Sequence, residues 1–251
     1  DWISGNWREG VNPEKVEGLL NADREKQIRA VCVVHNETAT GVTSDISSIR
    51  KALDRTDHPA LFMVDTISSL ASMDYRHDEW KVDVTVAGSQ KGLMLPPGLS
   101  FNAVSDKALE ASEKAQLPRA YWNWQEMLNA NGQSVFPYTP ATNLLYGLKE
   151  ALILLKEEGL DQVFARHRQL AEATRKAVQG WNLEMNALHS HEFSDSLTAV
   201  RMPEGHDADQ FRKVVLENFN VSLGNGLGKI QGKVFRIGHL GDLNAPMLLG
   251  T

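Results

Sequence analysis

VDVTVAGSQKGLMLPPGL, residues 82–99, is the stretch on which the reading of the fold turns. A β-rich run ends in Gly88. Two polar residues, Ser89 and Gln90, lead to a lysine, Lys91, after which the chain turns apolar and breaks on Pro96-Pro97-Gly98. A continuous apolar run bounded by turn residues is the mark of a strand buried on both faces, as in a parallel sheet. The lysine is therefore expected at the mouth of a buried strand, beside an apolar loop.

Working outward, the first hundred or so residues alternate helix and strand. NPEKVEGLLNAD (12–23) predicts a helix with Asn12 as N-cap and Pro13 at its first position. RAVCVVHN (29–36) reads as a strand buried on both faces, with Cys32 a buried small hydrophobe. SDISSIRKALDR (44–55) predicts an amphipathic helix with Ile46, Ile49 and Leu53 inward and Ser44 or Asp45 as cap. ALFMVDT (60–66), DVTVAGS (83–89) and LSFNAVS (99–105) complete a set of buried strands. Strands alternating with helices imply right-handed crossovers and a mostly parallel sheet, an α/β architecture whose ligands sit at the carboxyl ends of the strands.

A second regime follows. TPATNLLYGLKEALILLKEEG (139–159) has apolar residues at 144, 145, 148, 151, 152 and 155, a helical period, ended by Gly159. A further helix spans 161–181. SLTAVRMP, DADQFRKVVLENF and KVFRIGHLG then read as strand, helix, strand. The division expected is a large domain over 1–158 and a small α+β domain over 159–251.

The 251 residues suffice for a sizeable core, and the composition, 42% hydrophobic and 23% charged, is that of a globular protein. A net charge of −6 without a basic stripe argues against nucleic acid as partner. No apolar run approaches the ~18 residues of a membrane span. One cysteine, Cys32, excludes a disulfide framework and a cysteine-rich zinc site. The start at Asp1 and the stop at MLLGT are read as the cut ends of a longer protein.

The strand ends carry the chemistry. Asp65 closes one strand; there an aspartate can cap a helix, bind a cation or hold a protonated ring nitrogen. Lys91 follows the next. A partly desolvated lysine loses proton affinity and becomes an amine nucleophile, able to form Schiff bases with carbonyl substrates or with pyridoxal phosphate. That cofactor also takes an acidic partner on its ring nitrogen. Spacing alone leaves a solvated lysine and a capping aspartate as open alternatives.

HNETATGV (35–42), VDTISSLASM (64–73), the GSQKGLMLPPGL loop, YTPATNLLYGL (138–148) and KVFRIGHLGDL (233–243), in that order, resemble the class V aminotransferases, which are fold-type I pyridoxal-phosphate enzymes. Within that class the wording is most similar to the serine–glyoxylate and alanine–glyoxylate branches, and HNETATGVT and FPYTPATNLLYGL lean toward the serine branch. The resemblance implies that Lys91 is the Schiff-base lysine and the base that moves the substrate proton. Asp65 would pair with the ring nitrogen, Gln90 with the phosphate, and Thr38 with the ring hydroxyl, while Ile67 packs on the ring face. Thr139 would reach the phosphate of a partner subunit in a homodimer with shared sites. An aromatic hydroxyl would do the same; Phe136 aligns best and Tyr138 lies two places on, so both stay open. Arg236 would clamp the substrate carboxylate as a bidentate fork. The implied reaction is ping-pong transfer of the amino group of L-serine or L-alanine to glyoxylate, giving hydroxypyruvate or pyruvate and glycine. The expected compartment is the cytoplasm for a bacterial protein and the peroxisome for a eukaryotic one. The family's glycine- and serine-rich phosphate turn and its ring-stacking aromatic would lie upstream of residue 1, so the sequence as given is expected to lack part of the cofactor cup.

Rival readings are weaker. A cysteine desulfurase needs a cysteine on a mobile loop, and Cys32 is in a strand. A phosphoserine aminotransferase wants extra basic residues that are not evident. A non-covalent doubly wound binding module would leave Lys91 a surface charge. HNE (35–37) is a poor metal motif. DYRHDEW (74–80) reads as a solvated connector with Trp80 against the sheet. YWNWQEM (121–127) reads as core or interface packing, GNGLGKIQGK (224–233) as a loop near the site, and His239 as structural.

Overall fold

The computed structural model describes residues 2–251. In chain order the elements are α1 (Pro13–Ala22), β1 (Ala30–Val34), β2 (Asn36–Glu37), β3 (Val42–Thr43), α2 (Ile46–Thr56), β4 (Leu61–Asp65), β5 (Val84–Gly88), β6 (Ser100–Val104), α3 (Asp106–Glu113) and α4 (Trp124–Asn131). There follow α5 (Thr142–Glu158), α6 (Leu160–Gly180), β7 (Glu184–Met185), β8 (Leu197–Arg201), α7 (Ala208–Phe219), β9 (Gly224–Asn225), β10 (Val234–Gly238) and α8 (Ala245–Leu249).

The first sheet runs β1-β4-β5-β6. The pairs β1/β4 and β4/β5 are parallel and β5/β6 is antiparallel. The expected α/β class and mostly parallel sheet are therefore present, with the last strand reversed. Helices α1 and α2 cover one face: Val16, Leu20, Ile46, Ile49 and Leu53 pack on Val33, Phe62, Val64 and Val82. The caps agree with the residue types. Asn12 Oδ1 accepts the Glu14 and Lys15 amides at 2.8 and 3.1 Å. Of the two candidates for α2, Asp45 is the cap, accepting the Ser48 amide at 2.9 Å, while Ser44 Oγ accepts from the Val11 amide.

Two strands differ from the reading. In β1 only Val33 is buried, and Cys32 and Val34 are exposed. The strand sits at the sheet edge with helices on one side alone, so its outward residues meet solvent. β6 likewise has only exposed and half-buried positions instead of lying in a buried row. Hydrophobic runs report strand formation; whether both faces are covered depends on what packs against them.

The second sheet, β7-β8-β10-β9, is antiparallel throughout. One side packs on α6 and α7 through Val178, Ala208 and Phe211 against Val200, Phe235 and Ile237. The other side meets the β2–β3 hairpin: Ala39 joins Leu197, Ala199, Ile230 and Val234. The hairpin is thus wedged between the two sheets. The 224–233 loop departs from expectation in opening with β9, which pairs with β10. YWNWQEM is not core packing, since α4 buries none of its residues and Trp122 stands exposed.

Ile49 on α2 has no exposed surface. Replacing it with alanine is expected to cost about 2–5 kcal/mol, and with valine about 0.5–1.5 kcal/mol. Denaturant midpoints on the two variants check the ordering.

Candidate active site

Because β1, β4 and β5 run parallel, their carboxyl ends deliver three segments to one edge: the β2–β3 hairpin, the turn after Asp65, and the Lys91 loop. Asp65 ends β4 half-buried. Its Oδ1 accepts the Ile67 amide at 2.8 Å, and Oδ2 has no hydrogen-bond partner among the described residues. The backbone around it is fixed by the His35 amide on the Asp65 carbonyl and the Thr66 amide on the Val86 carbonyl.

The Lys91 loop is closed on Ser89. The Ser89 hydroxyl donates to the Pro96 carbonyl at 2.8 Å and accepts the Leu99 amide at 3.2 Å. The apolar half of the loop turns inward: Leu93 and Leu95 are buried with Ala151, Leu155 and Val163 of α5 and α6. That answers why apolar residues follow the lysine. They anchor the loop while Lys91 stays half-buried, its amine with no hydrogen bond or ion pair among the described residues. Gly92 is required by space: a methyl there would lie 2.2 Å from the Leu70 carbonyl oxygen and 2.6 Å from Ser72 Oγ. Gln90 folds back so that its Oε1 is 3.0 Å from where a Cβ on Gly88 would stand, and Ile67 Cγ2 is 3.7 Å from the same point.

Arg236, on β10, comes to the same region from the second sheet. Its Nε donates to the Asn225 carbonyl at 2.7 Å, and Nη1 donates to the carbonyl of Thr38 at 2.9 Å. Nη2 has no partner among the described residues. Burial, and then the nearby Arg212 cation, weaken the proton affinity of the guanidinium, while Glu37 partly offsets them. Thr38 and Arg236, far apart in sequence, are therefore in direct contact. Thr139 is exposed in the segment before α5 and makes no bond to Lys91, Asp65 or Arg236. The Tyr138 hydroxyl lies 3.2 Å from the Tyr121 amide and 3.4 Å from Glu126, and Phe136 is exposed.

Several residues that hold the site have no motif to announce them. The Asn36 side chain donates to the Ser68 carbonyl, to Ser68 Oγ and to Ser196 Oγ, and its Oδ1 accepts from Thr43. Within HNE, then, Asn36 is a buried connector. His35 Nδ1 bonds Ser69 Oγ at 2.9 Å, and Glu37 Oε1 accepts the Ala39 amide. No group of three or more side chains able to hold a metal ion occurs among the described residues. The connector 74–80 behaves as read, with Trp80 packed on the core and Arg76 outside between Asp74 and Glu79. Tyr75 and His77 additionally bond Thr85 of β5. His239 is structural, its ring between Thr198 Oγ1 and the Asp195 carbonyl.

Residues 7–236 match the family model described as Aminotransferase class-V. The chain is 52% identical over 250 residues to the serine–glyoxylate aminotransferase of Methylorubrum extorquens, covering 98% of this chain and 62% of that protein. It is 48% identical to the L-aspartate–glyoxylate aminotransferase of Paracoccus denitrificans, covering 99% of this chain and 63% of that one. The crystal structure of an alanine–glyoxylate aminotransferase from Nostoc sp. superposes with a TM-score of 0.89 at 28% identity, over 99% of this chain and 65% of that one. The chain thus spans less than two thirds of the length of these relatives.

Burial holds the rings of His35 and His239 neutral, pushing each down to about 4. The unfolded chain takes up these protons near pH 6.5, while the folded chain resists until about pH 4. Stability is therefore expected to be level above about 6.5 and to fall as pH drops toward 4. Urea midpoints across that range check it, and the fall should be shallower in His35→Gln. Gly92→Ala is expected to cost about 1–3 kcal/mol through overpacking, read as a lowered melting temperature and faster proteolysis between residues 89 and 99.

Proposed function

The chain belongs to the class V aminotransferase family, and on that footing we propose that the protein is a transaminase moving the amino group of L-serine, or of L-alanine, to glyoxylate. The observation that carries the reading is the set of uncommitted groups converging on one sheet edge: the Lys91 amine, Asp65 Oδ2 and the outer edge of Arg236. The Methylorubrum relative at 52% identity supports serine as donor. A second reading, L-aspartate as donor, is favoured by the Paracoccus relative.

Family and fold imply pyridoxal phosphate, and the donor set fits it: one amine, one free carboxylate oxygen and one guanidinium edge, with no competing ion pair on the lysine. When bound, the group supplies an electron sink for the pair left on the substrate Cα. Lys91 would hold the cofactor's aldehyde carbon. The Lys91 amine, when not bonded to that carbon, would be the base that takes the proton from the substrate Cα. Asp65 would keep the ring nitrogen protonated. Thr38 would bond the ring hydroxyl, Gln90 would contact the phosphate and Ile67 would pack on the ring face. Arg236, steadied by the Thr38 and Asn225 carbonyls, presents its remaining N–H groups to the substrate carboxylate.

We take residues 1–158 as the cofactor-binding part and 159–251 as the smaller domain. Homodimerisation is part of the proposal: Tyr121, Trp122, Phe136 and Leu152 are exposed together with Thr139, which would then reach a partner's site. Among the described residues no helix is long and apolar enough to cross a membrane.

The test is covalent. After incubation with pyridoxal phosphate and borohydride reduction, peptide mapping is expected to find the label on Lys91 alone; label elsewhere, or none, sinks the reading. The amino acid that most rapidly bleaches the bound cofactor identifies the donor. Lys91→Ala is expected to lower kcat by about 10²–10⁴-fold or more. Arg236→Gln should raise KM for amino and keto acids about 10–100-fold, the weight of a charge-assisted hydrogen bond.

A further inference from the structure

We infer that Arg166 and His167, neighbours on α6, act as a clamp that seats the 238–243 loop on the backbone of Lys91, and that they are positioning residues for Lys91 and Arg236. The role rests on the reading of Lys91 as the cofactor lysine; the clamp itself rests on geometry. His167 is buried, and its ring bonds are fixed in sense. Nδ1 lies 2.7 Å from the Val163 carbonyl, which can only accept, so Nδ1 donates. Nε2 lies 3.0 Å from the Gly241 amide, which can only donate, so Nε2 accepts. The ring is the neutral Nδ1–H tautomer, and no other form satisfies both partners.

Arg166 takes the opposite side of the same residue. Its Nη1 donates to the Gly241 carbonyl at 2.8 Å and to the Leu243 carbonyl at 3.1 Å. Its Nε and Nη2 are held by both oxygens of Glu158 at 2.7 and 2.9 Å. One residue is thus gripped at its N–H by a histidine and at its C=O by an arginine. Gly241 has φ 86°, a left-handed conformation that favours glycine. A Cβ there would lie 3.9 Å from the Lys91 carbonyl oxygen and 3.7 Å from Met94 Cγ. That carbonyl also accepts the Met94 amide, closing the turn that carries Lys91. The clamped loop begins at Gly238, the end of β10, two residues beyond Arg236. One pair of α6 side chains therefore sets how the arginine strand and the lysine turn lie against each other.

The clamp is sensitive to acid. Protonation gives Nε2 a hydrogen that points at the Gly241 N–H, so the contact turns repulsive. Burial and the Arg166 cation resist that proton, while the Glu158 and Asp195 carboxylates favour it; Asp242 faces Arg166, and the neighbouring His239 is itself neutral. The contact therefore persists to lower pH than an ordinary histidine would allow, and opens in acid.

Amide hydrogen exchange on the full chain, with and without pyridoxal phosphate, tests the clamp. His167→Leu keeps the bulk and removes both bonds. Exchange at Gly241 and Met94 is expected to speed up about tenfold, the weight of one hydrogen bond, with Phe62 and Val64 in the core unchanged. In the loaded enzyme the absorbance–pH titration of the bound cofactor shifts and KM rises. His167→Gln, whose amide can serve both partners without titrating, retains protection and loses the acid-induced loosening seen in the wild type. Arg166→Gln should loosen the same two amides. The inference is overturned if Gly241 or Met94 exchange is unchanged in His167→Leu, or if core amides speed up equally. Expected exchange behaviour in a wild-type chain that takes no label on Lys91 would uphold the clamp and count against the transaminase reading.

Discussion

One buried carboxamide organises this molecule. Asn36 is buried and spends its side chain on the turn after Asp65, on the second sheet through Ser196, and on its own hairpin through Thr43. In a low-dielectric interior each unmet partner would be expensive, so the three parts are held in a single arrangement. The orientation of the hairpin fixes the Thr38 carbonyl, and that carbonyl steadies Arg236. The position of an arginine on one sheet thus depends on an asparagine just beyond the end of a strand in the other.

The Lys91 loop solves a related problem, that of exposing an amine without letting its backbone wander. Ser89 closes the loop at its base with hydrogen bonds, and Leu93 and Leu95 bury its far side against α5 and α6. Gly92 packs against the turn at Leu70–Ser72 too closely for any side chain. The lysine side chain is left free while the backbone on both sides of it is committed. The same helices then reach the loop a second time, through the 238–243 segment. The lysine turn and the arginine strand are therefore referred to common supports, as the proposed transamination, with its need for an amine, an acid and a carboxylate clamp in fixed relation, would require.

Buried histidines recur in this scheme as neutral connectors. His35 bonds Ser69 beneath the Asp65 turn, His167 joins α6 to Gly241, and His239 ties β10 to Thr198 and Asp195. A neutral imidazole offers one donor and one acceptor at opposite ends of a rigid ring, which suits it to bridge backbone groups of opposite sense. The arrangement stabilises the fold at neutral pH and makes it vulnerable in acid.

The sequence by itself determined the alternation of strands and helices, the cap at Asn12, the Ser44–Asp45 pair that holds the second cap, and the buried stripe of Ile46, Ile49 and Leu53, because these depend on local periodicity and capping chemistry. It also brought forward Asp65 at the end of a strand and Lys91 in the loop after the next, where residue type and place combine, and Arg236 through the family resemblance. It misjudged Cys32 and the strand at 100–104, since the burial of a strand's second face is set by whatever packs there and not by the strand's own composition. It was silent on Asn36, Ser89, Arg166 and His167, whose partners lie up to 160 residues away. Only the tertiary structure decides which donor meets which acceptor, because a hydrogen bond is a fact about two places in space, and the chain records the two ends without recording that they meet.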